Sequence, residues 1–204
     1  MQTLAIVGAS LAGLSAARAA RAQGFTGQLV IIGDEPHRPY DRPPLSKDFL
    51  LGTVTADDLF LEADADELGA EWVLGSAAAS LDAASRTIRL KDGRTVQADG
   101  IVISTGASAR KLPTLAGLSN VFTLRTLADA QSLAPELVPG SRMAVIGAGF
   151  IGARWPQLRL RGAWRSPWST PSPYRSPHSW ARRWAVWWPD STRPMGWSSF
   201  PPPL

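Results

Sequence analysis

The sequence predicts an α/β fold: a parallel sheet with helices, a small antiparallel β flap, the start of a second domain of the same kind, and an irregular C-terminal tail. Three patterns predict it. The apolar run of residues 4–7 breaks at Gly8 and Gly13, then gives way to Ala and Leu at helical spacing through Ala22. The same break returns at residues 141–152, and the alternating stretch 80–97 between them suits an antiparallel hairpin.

Composition narrows the function classes. The 204 residues, 45% of them hydrophobic, suffice for one or two domains with a buried core. There is no run of eighteen apolar residues and no basic leader, so a cytoplasmic protein with no membrane partner is expected. The absence of cysteine removes disulfides, thiolate metal sites and a redox-active cysteine pair together, and no metal site is expected. Any redox chemistry must therefore come from a bound cofactor. The net charge of +4 averages two unlike pieces, because residues 154–204 hold eight Arg against one Asp, and residues 1–153 thirteen basic against sixteen acidic side chains. The same tail contains eight of the nine Trp and ten of the seventeen Pro.

In chain order, the first strand runs into a turn where Gly8 permits the bend and Gly13 lets the helix pack close to the strand. Strand, tight turn and helix N-terminus together offer unpaired N–H groups and a positive dipole end to the pyrophosphate of a dinucleotide. The usual middle glycine is Ser10, so the phosphates would approach past a small side chain. Residues 28–32 read as a second strand ending at Gly33, Asp34 and Glu35. An acidic residue about twenty positions beyond the glycine turn suits the adenosine ribose, and by spacing either Asp34 or Glu35 could serve. Four prolines make residues 36–47 a rigid extended loop carrying Arg42 and Lys47, after which Ser46 could cap a short helix through Leu51. A strand at 71–74 comes next, then the hairpin turning at Lys91, Asp92 and Gly93, then the strand at 101–103. Residues 127–137 read as a connecting helix ended by Pro139 and Gly140. Residues 141–146 repeat the opening strand, and Gly147, Gly149 and Gly152 complete a G-x-G-x-x-G.

The stretch Gly-Asp-Glu-Pro-His-x-Pro-Tyr-Asp-Arg-Pro-Pro-Leu-Ser-Lys at 33–47 resembles the FAD-binding region of the NAD(P)H-dependent ferredoxin reductases that serve bacterial oxygenases. The resemblance continues through Asp58-Leu59, the strand at 71–74, Asp92-Gly93, residues 101–106 and Arg125-Thr126-Leu127, and ends at 147–153, about three quarters of the chain. It implies a Rossmann-like FAD-binding sheet, with FAD pyrophosphate at Gly8, Ser10, Ala12 and Gly13 and its ribose at Asp34 or Glu35. Arg42 is placed among the cofactor contacts, and Lys47 near the flavin ring, where a cation stabilises reduced flavin. Ala78 is implied to give backbone contacts at the adenine end, with Thr105, Gly106 and Arg125 lining the cofactor. The second turn, Gly147, Gly149, Ile151 and Gly152, is implied to hold NAD(P)H. The implied organisation is an FAD-binding domain at 1–113, a connecting segment at 114–140, the first strand and turn of an NAD(P) domain at 141–153, and the tail at 154–204.

The resemblance also expects Glu-Val-Ala after Ala153, where the chain has Arg154-Trp155-Pro156-Gln157 and then no binary pattern. Read as AGG-TGG-CCT-CAR with one G restored in front, those residues become Glu-Val-Ala-Ser. The same shift turns residues 164–170 into a set that allows Leu-Ala-Val-Thr-Val-Val-Asp, an apolar strand ending in a carboxylate, and restores an acidic residue or His, then Gly, then Val or Leu at 195–197. Residues 154–204 are therefore expected to be translated out of frame. The competing reading makes Trp180, Trp184, Trp187 and Trp188, with Arg182 and Arg183, an amphipathic helix for anionic membranes or single-stranded nucleic acid. Ten prolines oppose that helix, and no nucleic-acid partner is expected.

By resemblance, the activity is hydride transfer from NAD(P)H to FAD, then single-electron delivery to a ferredoxin-type iron-sulfur protein. Arg154 stands where the family's Glu would partner the flavin-side Lys47, so two cations would face each other, at a cost of about 1 kcal/mol at ~4 Å in water. The expectation for this chain is a truncated, inactive product or an FAD-binding module without turnover.

Overall fold

The computed structural model describes residues 1–61, 68–138, 141 and 143–147. Two sheets form the described part. Strands β1 (Thr3–Val7), β2 (Gln28–Ile32), β3 (Ala70–Val73) and β7 (Gly100–Ile103) make a parallel sheet in the order β3-β2-β1-β7. Strands β4 (Ala78–Asp82), β5 (Thr87–Leu90) and β6 (Thr95–Gln97) make an antiparallel one. Helix α1 (Leu11–Ala22) joins β1 to β2, and α2 (Leu127–Leu133) comes after β7. The α/β architecture with a Rossmann-like parallel sheet and a small antiparallel flap is as the sequence predicts.

The apolar runs of β1 and β2 are continuous because both faces of the sheet are covered. Leu4, Ile6, Leu29 and Ile31 pack with Leu14 and Ala17 of α1. Their neighbours Ala5, Val7, Val30 and Ile32 pack on the other face with Ile88, Leu90 and Ala98 of the flap. A third cluster, Tyr40, Leu45, Leu59, Leu127 and Ala130, seats α2 on the proline-rich loop.

Several boundaries differ from the sequence expectation, each for a local reason. Helix α1 begins at Leu11, before the helical spacing that the sequence shows from Leu14, because Ser10 already takes the extended N-cap backbone at φ −135°, ψ −170°. Ser46 caps no helix. It ends a 3-10 turn, Pro43–Ser46, and its hydroxyl donates to the Pro43 carbonyl at 3.4 Å. Residues 47–53 continue as isolated turns, with Leu51 N–H donating to the Lys47 carbonyl. The stretch 80–97 holds three strands rather than two, since a further turn at 83–86 places Arg86 at φ +52°. Helix α2 stops at Leu133 instead of Leu137, because Pro135 has no N–H to continue it and the chain tightens into the 3-10 turn Ala134–Glu136. Residues 143–147 form no strand, as no described strand lies beside them to pair with. Pro139, Gly140 and the tail at 154–204 lie outside the described residues. Among the described residues, no helix is long and apolar enough to cross a membrane.

Candidate functional site

The strand order places the site. From β1 the chain moves outward through β2 to β3, then crosses by way of the flap to lay β7 on the other side of β1. The carboxyl ends of β1 and β7 therefore flank a topological switch point, where α/β sheets leave a crevice for ligands.

Gly8 lies at this crevice with φ +123°, and its N–H donates to the Ile32 carbonyl at 2.8 Å. A Cβ on Gly8 would collide with the Ser104 carbonyl, and one on Gly13 with the Gly8 carbonyl oxygen. Both glycines are thus fixed by backbone approach. The Ser104 hydroxyl tightens the same knot, within hydrogen-bond reach of the carbonyls of Val7 at 3.1 Å and Gly8 at 3.2 Å, to which it donates. The first N–H groups of α1, including those of Ala12 and Gly13, have no intrahelical acceptor and point out of the helix end, and Ser10 makes no side-chain cap to satisfy them. This is an anion-binding arrangement built from backbone.

Glu35 and Asp34 separate clearly. Asp34 is exposed, whereas Glu35 is half-buried with both carboxylate oxygens engaged. Arg42 Nη2 donates to Glu35 Oε1 at 2.5 Å, and the Tyr40 hydroxyl donates to Glu35 Oε2 at 2.5 Å. Arg42 continues across the crevice. Its Nη1 donates to the Arg125 carbonyl at 3.0 Å, and its Nε lies 3.5 Å from Ser10 Oγ at the limit of a hydrogen bond. Burial and the bond to Glu35 push the Tyr40 hydroxyl pKa above its ordinary value, against the opposing N–H of Leu127.

The far wall is Thr105 and Gly106, both exposed, with Gly106 at φ +68°. Arg125 reaches back to it: Nε donates to the Ala107 carbonyl at 3.1 Å, and a Cβ on Gly106 would lie 3.7 Å from Nη2. A capping box at the start of α2 holds Arg125 in place, since Asp129 Oδ2 accepts from the N–H groups of Arg125 at 2.8 Å and Thr126 at 3.0 Å. Ala78 opens β4, half-buried against the flap-side core. The chain just before it is tied to the site by Gly75 N–H to the Glu35 carbonyl and Ser76 N–H to that of Gly33, both 3.1 Å.

The structure thus brings together Gly8, Ser10, Ala12, Gly13, Glu35, Arg42, Gly106 and Arg125. Lys47 is tied to none of these groups by a side-chain bond: it comes directly after the 3-10 turn, and among the described residues its ammonium makes no hydrogen bond or ion pair. Gly147 has φ +118°, the value a glycine turn needs, and Gly149, Ile151 and Gly152 lie outside the described residues. Two members of the site, Ser104 and Tyr40, have no role that the sequence makes legible. Ser104 acts through a contact ninety-seven residues away, and Tyr40 joins a carboxylate five residues before it to an N–H eighty-seven residues after it, a juxtaposition no local pattern reveals. Among the described residues, no group of acidic and histidine side chains could hold a metal.

The family model described as pyridine nucleotide-disulphide oxidoreductase matches residues 2–155. The chain belongs to that family. Among its relatives, the ferredoxin--NAD(+) reductase subunit of the benzene 1,2-dioxygenase system of Pseudomonas putida is 43% identical over 152 residues, which is 73% of this chain and 37% of the relative. The corresponding component of the biphenyl dioxygenase system of Paraburkholderia xenovorans is 40% identical over 154 residues, covering 74% of this chain and 38% of its own. A crystal structure of the covalent putidaredoxin reductase-putidaredoxin complex superposes with a TM-score of 0.76 at 31% identity, over 82% of this chain and 42% of that one. The chain therefore spans under two fifths of the length of the dioxygenase-system relatives, and the family match stops within two residues of Arg154.

Proposed function

We propose that residues 1–113 are the FAD-binding domain of an NAD(P)H:ferredoxin reductase, that residues 141–153 begin its NAD(P) domain, and that this chain binds flavin without completing the reaction. The observation that carries the reading is the crevice at the ends of β1 and β7. There, a glycine pair closed by backbone, a helix N-terminus and Arg42 converge on a space suited to a pyrophosphate. The fit is chemical as well as spatial: two anionic phosphates meet N–H donors and a guanidinium, and a carboxylate at the end of β2 stands ready for ribose hydroxyls. Gly8, Ser10, Ala12 and Gly13 would hold the pyrophosphate, Glu35 rather than the exposed Asp34 the ribose, and residues 75–78 the adenine end. Thr105, Gly106 and Arg125 would line the flavin half, with Lys47 nearby.

FAD supplies hydride acceptance and single-electron release. This chain's residues bind and orient it. For the whole family activity, electrons pass from NAD(P)H to a ferredoxin-type protein in the cytoplasm. The names of the dioxygenase-system relatives and the putidaredoxin complex support that partner class. Residues 147–152 would take NAD(P)H. The reading that turnover is lost rests on the residues after Ala153, where Arg154 replaces an expected acid, the out-of-frame pattern begins and the family match ends.

Purified protein incubated with FAD and passed through gel filtration tests both halves. Flavin absorbance should co-elute with the protein, and NADH-dependent reduction of ferricyanide should stay at background. Sustained turnover would show that catalysis survives the altered tail. A folded, colourless protein with no FAD affinity would remove the proposal entirely.

A further inference from the structure

We infer that Tyr40 is a positioning residue of the nucleotide site, a pin that holds the Glu35 carboxylate for the ribose and ties it to the start of α2. The inference rests on the proposed binding of flavin. Tyr40 is only 4% exposed although it sits in a proline-rich loop, and its hydroxyl is used in both directions. It donates to Glu35 Oε2 at 2.5 Å and accepts from the buried N–H of Leu127 at 2.9 Å. The ring packs in one cluster with Leu45, Leu59 and Ala130, and an antiparallel backbone bridge pairs Tyr40 with Phe60. Arg42 lies over its face, 5.0 Å from the ring centroid, and pairs with the other oxygen of the same carboxylate.

This arrangement leaves Glu35 fixed but not saturated. An ionised carboxylate offers about four lone-pair directions, and Tyr40 and Arg42 use one on each oxygen. The remaining two are left for a pair of ribose hydroxyls, in an orientation the carboxylate alone, on three rotatable bonds, would not keep. Because Leu127 adjoins the residues that anchor Arg125, one phenol links the adenosine side of the crevice to its flavin side.

The test is a double-mutant cycle on FAD affinity in the full chain, read by quenching of flavin fluorescence, with thermal unfolding of the FAD-free proteins in parallel. Tyr40→Phe should weaken FAD binding about tenfold, the size expected for losing a hydrogen bond to a charged group. In a Glu35→Gln background the same change should cost less than twofold. Glu35→Asp, which leaves the bond from Leu127 to Tyr40 intact while drawing the carboxylate back, should match the loss of Tyr40→Phe. That variant serves if Tyr40→Phe folds poorly. Equal losses in both backgrounds, or a lowered melting temperature with unchanged FAD affinity, would overturn the inference and leave Tyr40 a packing residue. Folded wild-type protein without FAD affinity would overturn the flavin reading first and this inference with it.

Discussion

At Gly8 the backbone angle and the neighbouring Ser104 carbonyl act together, so Gly8→Ala meets both a strained φ of +123° and a collision with backbone that cannot swing aside. The expected loss is about 3 kcal/mol, seen as a lower urea midpoint, with FAD retention lost alongside. Tyr40 makes a separate prediction in pH. Its folded pKa lies above the ordinary tyrosine value, so the unfolded chain releases the proton first as pH rises, and the native state binds more protons. That contribution is fully present below about pH 10, the unfolded tyrosine value, and declines above it. Chemical denaturation from pH 9 upward should show the decline in wild type and a shallower one in Tyr40→Phe. At this scale the sequence is partly legible. Gly8 and Gly13 can be read because their demands are local to one turn. The choice between Asp34 and Glu35 cannot, since the spacing admits both and only the folding of Tyr40 and Arg42 onto Glu35 distinguishes them.

Among the elements, α2 is the shorter helix and the more dependent on its cap. Asp129 accepts from Arg125 and Thr126 backbone N–H groups, the Thr123 hydroxyl donates to its other oxygen, and Thr126 completes the box by accepting from Asp129 N–H. Asp129→Ala should cost about 1 kcal/mol of stability in denaturant titration. It should also loosen FAD, because the Arg125 side chain is aimed from this turn. The flap shows how an element can be legible in kind and not in count. Its alternation of apolar residues signals antiparallel pairing, but Arg86 at φ +52° makes a turn without glycine, and a turn written in non-glycine residues carries little signal. At that turn the Ser85 side chain first, and then the N–H groups of Ser85 and Ala84, hold the Asp82 carboxyl below its ordinary pKa, which stabilises the bend at neutral pH. The helix expected at 127–137 stops short for the opposite reason: its apolar spacing persists past Pro135, while the backbone cannot.

On the scale of the molecule, a ligand that binds only the folded state stabilises it by mass action. FAD at about a hundred times its dissociation constant should add about 2.7 kcal/mol to the unfolding free energy, read as an upward shift of the melting curve. Removing residues 154–204 should leave that shift unchanged, as the crevice is assembled from residues 8–125. A shift that vanishes with the tail would contradict the proposed domain organisation. The sequence pattern offers parallel strands with apolar faces and leaves their order open. The order β3-β2-β1-β7 is set by the crossing of the flap over one face, a long-range event that no window of residues contains. Strand β1 is covered twice, and the two covers make different demands on it. Leu4 and Ile6 are fitted to a helix, Ala5 and Val7 to a flap, and the two sets interleave residue by residue. Inserting one amino acid in the middle of β1 would therefore exchange the helix-facing side for the flap-facing side along half its length, offering a leucine or isoleucine chain to a layer shaped for smaller ones. Inserting two would keep the faces but push the glycine bend out of step with Ser104. The five residues of this strand thus carry a parity as well as a composition, and length changes there should be tolerated far less than in the solvent-facing turn at 91–94.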